Sequence, residues 1–184
     1  MSIIAYLLYA MSFGIATLVL MRSCAEKSPI MLSKGLVVSL IMAVVGAIMM
    51  LAGAAVANGL TFGIDNIDNL VFVGLNVVVA LRILFQVFRN QIGDHSFDIS
   101  RWGTVCALAV ASSINVFVIG LGIGFKAVWQ DEVYKILIPT FLLVFLASYF
   151  AIMFGRQKVQ MKSRRWMMIA VLFILIATLQ GALR

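Results

Sequence analysis

The residues of this chain that could do chemistry sit where polar groups are rare. Ala111-Ser112-Ser113-Ile114-Asn115-Val116 puts two hydroxyls and an amide inside an apolar run from about Trp102 to Phe125. Such side chains are costly at membrane depth and usually face other helices or a water-filled cavity. Asn115 therefore has two readings: interhelical hydrogen bonding, or the lining of a substrate path. A shorter version, Met11-Ser12-Phe13-Gly14-Ile15-Ala16-Thr17, lies in the first apolar run. Sliding Ser12-Phe13-Gly14 onto Ser113-Ile114-Asn115 sets small or polar positions over one another, which suggests two halves, about 1–90 and 101–184. Arg82 is the only basic residue well inside an apolar run, with Gln86 one turn on and Asn76 earlier. It either snorkels to the inner interface or points into the bundle toward carbonyls or an anionic group. With no acidic residue deep inside the spans, its partners would be amides, hydroxyls or backbone carbonyls. On this pattern Asn115, Ser113, Ser12 and Gly14 line a midplane site, with Arg82 and Gln86 near its inner side.

Other polar clusters are weaker candidates. Asp65 and Asp68 stand at the outer start of the third run, in Ile64-Asp65-Asn66-Ile67-Asp68-Asn69. Helix capping and macrodipole pairing explain them; as cation ligands they would form an outer vestibule. His95, beside Asp94 and Asp98, belongs to a solvated loop or to a weak metal site. No closed ligand set is evident, so no metal and no cofactor is assigned. A Gly-rich phosphate loop and triad spacing are both missing, and the chain does not read as an enzyme. Cys24, in a loop, and Cys106, in a span, read as two unpaired thiols.

These residues must be positioned by membrane-spanning elements. The chain is 64% hydrophobic and 11% charged, with a mean hydropathy of +1.11, whereas soluble domains carry roughly 25% charged residues. Six spans are expected: about Ser2–Met21, Gly35–Ala57, Ile67–Phe88, Trp102–Phe125, Val133–Phe154 and Trp166–Leu183. Each approaches the ~20 residues a helix needs to cross the hydrocarbon. A helix satisfies its own backbone in lipid, and the alternating ten-residue segments of a barrel are missing. The fold class is thus an all-α membrane protein, one six-helix domain over 1–184.

Small residues fill the second span (Gly46, Ala47, Ala52, Gly53, Ala54, Ala55), and Gly120 and Gly124 have GxxxG spacing, both signs of close helix packing. Pro139 falls near the start of the fifth span, and Asn58-Gly59 reads as a turn closing the second. No Lys or Arg precedes the first run, which therefore reads as a retained span.

The net charge of +7 does not indicate nucleic acid, because the basic residues lie at the ends of the runs. The first loop has Arg22, Lys27 and Lys34, the third Arg89 and Arg101, and the fifth Arg156, Lys158, Lys162, Arg164 and Arg165. Odd loops are then cytoplasmic and both termini outside. With three spans per half, the second half enters the membrane inverted, as in many secondary transporters. The expected partners are the lipid bilayer and a small solute or ion; a homodimer is left open.

At this point the chain resembles the MntP-type manganese efflux pumps of the lysine-exporter (LysE) superfamily. Thr104–Phe125, with Ser113-Ile114-Asn115-Val116 and Val118-Ile119-Gly120-Leu121-Gly122, looks like the family's fourth-helix T-S-L-D-A-x-A-V-G. Ala10-Met11-Ser12-Phe13-Gly14-Ile15-Ala16 resembles its first-helix G-M-S-M-D-A-F-A, and Arg82 with Gln86 is similar to its third-helix R-x-x-x-E. Met153-Phe154-Gly155-Arg156 looks like the end of its fifth helix. The resemblance implies a six-helix exporter in the bacterial inner membrane. It also implies a departure: Gly14, Asn115, Gln86 and, at or near it, Met42 stand where the family has acids, while Arg82 stays. Mn²⁺ prefers carboxylate and carbonyl oxygens, so a path without acids suits a small zwitterionic or anionic solute better than a divalent cation. The alternative is a structural or regulatory membrane protein with a degenerate site. That alternative expects a dry core around Asn115, whereas transport expects a polar cavity there.

Overall fold

In a computed structural model the protein forms six helices, and residues 3–27, 30–60, 68–88, 97–126, 129–156 and 163–183 are described. The helices are α1 (Ile3–Lys27), α2 (Leu32–Leu60), α3 (Asp68–Phe88), α4 (Trp102–Lys126), α5 (Trp129–Arg156) and α6 (Ser163–Ala182). Each contains a stretch long and apolar enough to cross a membrane. Leu70, Phe85, Ile138, Leu172 and Leu179 are exposed on the outside of the bundle, while Tyr9, Met21, Met50, Phe72, Ile119 and Ile174 are fully buried inside it. Helices apolar on both faces belong in lipid.

The hydroxyls inside the spans show how such helices tolerate polar residues. Ser39, Ser113, Ser148 and Thr178 each donate to the carbonyl four residues back, at 2.8, 2.5, 2.7 and 2.7 Å. Their donors are spent within one helix, so none of these four is left unpaired inside the bundle.

Four elements, α1, α2, α5 and α6, extend at least three residues beyond the expected spans. α1 continues to Lys27, so Arg22 and Cys24 are helical and buried rather than in a loop. The apolar count ends at Met21, but Ala25 still packs on α5: a β-carbon on Gly155 would lie 2.8 Å from the Ala25 Cβ. Asn58 and Gly59 form the last turn of α2, not a turn after it. At the start of α4, Asp98 accepts from the Ser100 N–H at 3.0 Å and lies 3.6 Å from Arg101. Lys34 clasps the same corner, donating to the Ser100 carbonyl at 2.6 Å with its ammonium 5.2 Å from the Trp102 ring.

The helices pack in a definite pattern. α1 lies on α5 and α6, α4 lies on α2 and α3, α2 touches α5, and α3 touches α6. Exchanging α1, α2, α3 for α4, α5, α6 leaves that pattern unchanged. Both main contacts are parallel: Gly14 meets Leu143 and Ala147 while Gly155 meets Ala25, and Gly120 meets Met50 while Gly124 meets Ala54 and Ala57. Gly120 and Gly124 act as their spacing suggests. A β-carbon at either would lie 2.5 Å from the Met50 carbonyl oxygen or 2.7 Å from that of Ala54, so only glycine lets α2 and α4 approach this closely.

Candidate functional site

α1 and α4 face one another across a cavity of about 320 Å³. Among its lining residues, α1 contributes Ser12, Ala16, Thr17 and Ser23, α3 contributes Arg82 and Gln86, and α4 contributes Leu108, Ala111, Ser112 and Asn115; Phe97 and Met167 also line it. Ser12 and Asn115 lie near the middle of their helices. Ser23, Gln86, Phe97 and Met167 lie toward the helix ends that carry the basic residues. The cavity therefore runs from mid-depth to that one end of the bundle.

The spacing along α1 explains how it lines the wall. Ser12, Ala16 and Ser23 recur near multiples of the helical turn and share one face. Thr17 and Ser23 donate backward to the Phe13 and Leu20 carbonyls at 2.9 and 2.7 Å. Ser112 does the same to Ala109 at 3.0 Å. Ser12 departs from this pattern, since its hydroxyl is fully buried and has no hydrogen-bond partner.

Arg82 reaches toward a neighbouring helix. Its Nη1 crosses from α3 to α4 and donates to Asn115 Oδ1 at 3.1 Å. A guanidinium can only donate, so this contact fixes the oxygen of the Asn115 amide and leaves its NH₂ free to donate elsewhere. Both residues singled out in the sequence thus meet across the cavity, joined by Gln86 and Ser12.

Two other expected residues are not brought here. Gly14 turns toward α5, where an added β-carbon would contact Leu143 and Ala147 at 3.4–3.7 Å. Ser113 is buried and bonded within α4, away from the cavity wall. The one-residue steps from Ser12 to Gly14 and from Ser113 to Asn115 rotate these positions onto different helix faces. Asn76 is buried with its amide donating to the Phe72 carbonyl at 2.7 Å and abuts Gly122, where an added β-carbon would lie 3.3 Å from its Nδ2. Asp65 lies outside the described residues, as does His95, and Asp68 opens α3 with its side chain outside them. Thr17, Ser23, Phe97 and Met167 were not anticipated as lining residues. For Thr17 and Ser23, the signal available was the recurrence of small hydroxyl residues along one face of α1.

Chemically, the described wall offers hydroxyls, two amides, one guanidinium and apolar side chains, with no carboxylate. No group of three or more potential metal-ligating side chains occurs among the described residues. The fold and site define a six-span membrane protein with a cavity of mixed polar and apolar lining between α1, α3 and α4.

Comparison with known proteins places the chain further. It belongs to the Mntp family, whose model, described as "Putative manganese efflux pump", matches residues 30–179. No curated protein and no solved structure matches the chain.

Proposed function

We propose that this protein is an exporter of the bacterial cytoplasmic membrane that moves a small solute by alternating access between two inverted three-helix halves. The observation that carries the reading is the cavity that touches Asn115. A structural or regulatory subunit with a degenerate site would have a packed core at that place. Family membership supports transport, and the interchangeable packing of α1–α3 with α4–α6 supports an inverted repeat.

The basic residues at the ends of α1, α3 and α5 orient that end toward the cytoplasm, with both termini outside. The cavity then faces inward, the state in which an exporter collects its cargo. Manganese is a poor fit as that cargo. Mn²⁺ takes hard anionic oxygens, and here it would meet neutral oxygens and the positive charge of Arg82. Asp65 and Asp68 remain candidates for an outer vestibule on this reading.

Alternating access is tested with a single cysteine at Ala16 or Ala111, after Cys24 and Cys106 are replaced. A membrane-impermeant maleimide is expected to label it from the cytoplasmic face and, more slowly, from the outer face. Labelling confined to one face under all conditions refutes the reading. Cell-associated manganese, measured in a bacterium lacking its own exporter, is expected to stay unchanged on expression; a drop overturns the exclusion of Mn²⁺.

A further inference from the structure

The cavity keeps hydrogen-bonding capacity beside a single fixed charge. Thr17, Ser23 and Ser112 have spent their only O–H on backbone carbonyls. The donors that remain are the N–H groups of Arg82 beyond the one given to Asn115, the NH₂ groups of Asn115 and Gln86, and the buried unpartnered hydroxyl of Ser12; the Gln86 oxygen and the spent hydroxyls remain as acceptors. The only formal charge on the described wall is positive. A low-permittivity setting strengthens this field compared with water.

The rest of the wall is apolar. Phe13, Ala16, Leu20, Leu108, Ala111 and Val116 surround the polar groups. An inorganic oxyanion has no use for such a surface, whereas an organic anion buries its hydrocarbon there.

We propose that the cavity is a binding site for a small organic carboxylate, its carboxylate held by Arg82, Asn115 and Ser12 and its apolar body seated against the α1 and α4 side chains. The inference deepens the exporter reading and rests on it for the cavity being a solute path. Arg82 plays the main part, because a guanidinium presents paired N–H groups that match the two carboxylate oxygens. Asn115 holds the guanidinium in place and adds its own N–H groups. Ser12 supplies the donor that its helix leaves unused.

The test is titration calorimetry of the full chain in lipid nanodiscs with sodium pentanoate, its uncharged isostere pentanamide, MnCl₂ and inorganic phosphate. Pentanoate is expected to bind saturably and the other three at least tenfold more weakly. Arg82→Gln is expected to weaken pentanoate binding by about tenfold or more, with Arg82→Lys recovering part of it. Ser12→Ala is expected to weaken it by about threefold to tenfold. Retention of the circular dichroism spectrum and of a monodisperse elution profile separates these losses from misfolding, and the recovery in Arg82→Lys does so independently.

Pentanamide binding as well as pentanoate, or pentanoate binding unchanged in Arg82→Gln, overturns the proposal. Phosphate equal to pentanoate overturns the organic class, and Mn²⁺ binding in place of pentanoate overturns the anion. The cysteine labelling described above reports on transport separately. Carboxylate binding with one-sided labelling upholds this site and refutes the exporter; two-sided labelling without carboxylate binding does the reverse.

Discussion

Asn115→Asp is the sharpest probe of the contact at the centre of the cavity. The two side chains are nearly isosteric, so the carboxylate oxygen would take the place of the amide oxygen now 3.1 Å from Arg82 Nη1. A charge-assisted hydrogen bond to a neutral acceptor becomes an ion pair. Charge centres ~4 Å apart attract by about 4 kcal/mol at an effective dielectric constant of ~20. Fully exposed pairs retain only about 0.2–1 kcal/mol. Arg82 is exposed to the cavity yet lies at membrane depth, and the new carboxylate must also be desolvated. The net gain expected is about 1–2 kcal/mol.

Thermal unfolding in a mild detergent reads this directly. At roughly 2–4 °C per kcal/mol for a chain of this size, the midpoint should rise by roughly 2–8 °C. The rise should vanish when Arg82→Gln is also present, and it should shrink in 1 M salt, where the Debye length is about 3 Å. The same substitution neutralises the guanidinium, so pentanoate binding should fall about tenfold even as stability rises. A midpoint that falls, or a change of equal size with and without Arg82, refutes the reasoning: residue 115 would then not face the guanidinium.

Three further outcomes follow from the packing. Gly120→Ala should destabilise by about 1–3 kcal/mol in the same assay, because its β-carbon would meet the Met50 backbone at 2.5 Å. Gly74→Ala, where nothing lies within 4 Å, should be neutral or stabilising by up to ~1 kcal/mol; equal effects at the two sites would remove the basis for the close α2–α4 crossing. At the α1–α6 contact, the Tyr9 hydroxyl lies 3.0 Å from Thr178 Oγ1, and Thr178 already donates to Ile174, so Tyr9 is the donor. Tyr9→Phe should then cost about 0.5–1.5 kcal/mol, and Thr178→Val about 1–3 kcal/mol, since it strands a buried O–H; the reverse order of melting points would contradict this assignment.

The fold was legible because lipid imposes it. Runs near 20 apolar residues can only be helices there, and four of the six expected spans begin or end within about one residue of a helix end. The extensions of α1 past Met21 and of α2 through Asn58-Gly59 were not legible. Beyond the hydrocarbon, packing against a neighbour decides where a helix stops, and Ala25 against Gly155 is a tertiary contact that no apolar count contains. The site was half legible. Polar residues at membrane depth marked Asn115, Arg82, Gln86 and Ser12 as unusual, and these four converge. Gly14 and Ser113 were marked by the same cue but face elsewhere, because proximity in sequence is not a shared helix face. Ser23, Phe97 and Met167 escaped notice because ordinary residues come to line a cavity only through what the neighbouring helices leave open.

Arg82 itself shows why the cavity cannot be read as a device for stability. A guanidinium at membrane depth is costly unless its donors are satisfied, and here a described protein group takes one of them, Asn115. No other described group is seen to take the rest. A residue kept for holding the bundle together would instead be surrounded by acceptors, as the span hydroxyls are by their own carbonyls. The consequence is a trade of stability against binding. Arg82→Met keeps much of the stem's packing and removes the stranded donors, so its melting point should equal or exceed that of the unsubstituted protein while pentanoate binding is lost. A melting point that drops by several degrees in Arg82→Met would show the guanidinium to be a structural tie, and the assignment of Arg82 as a solute ligand would fall with it.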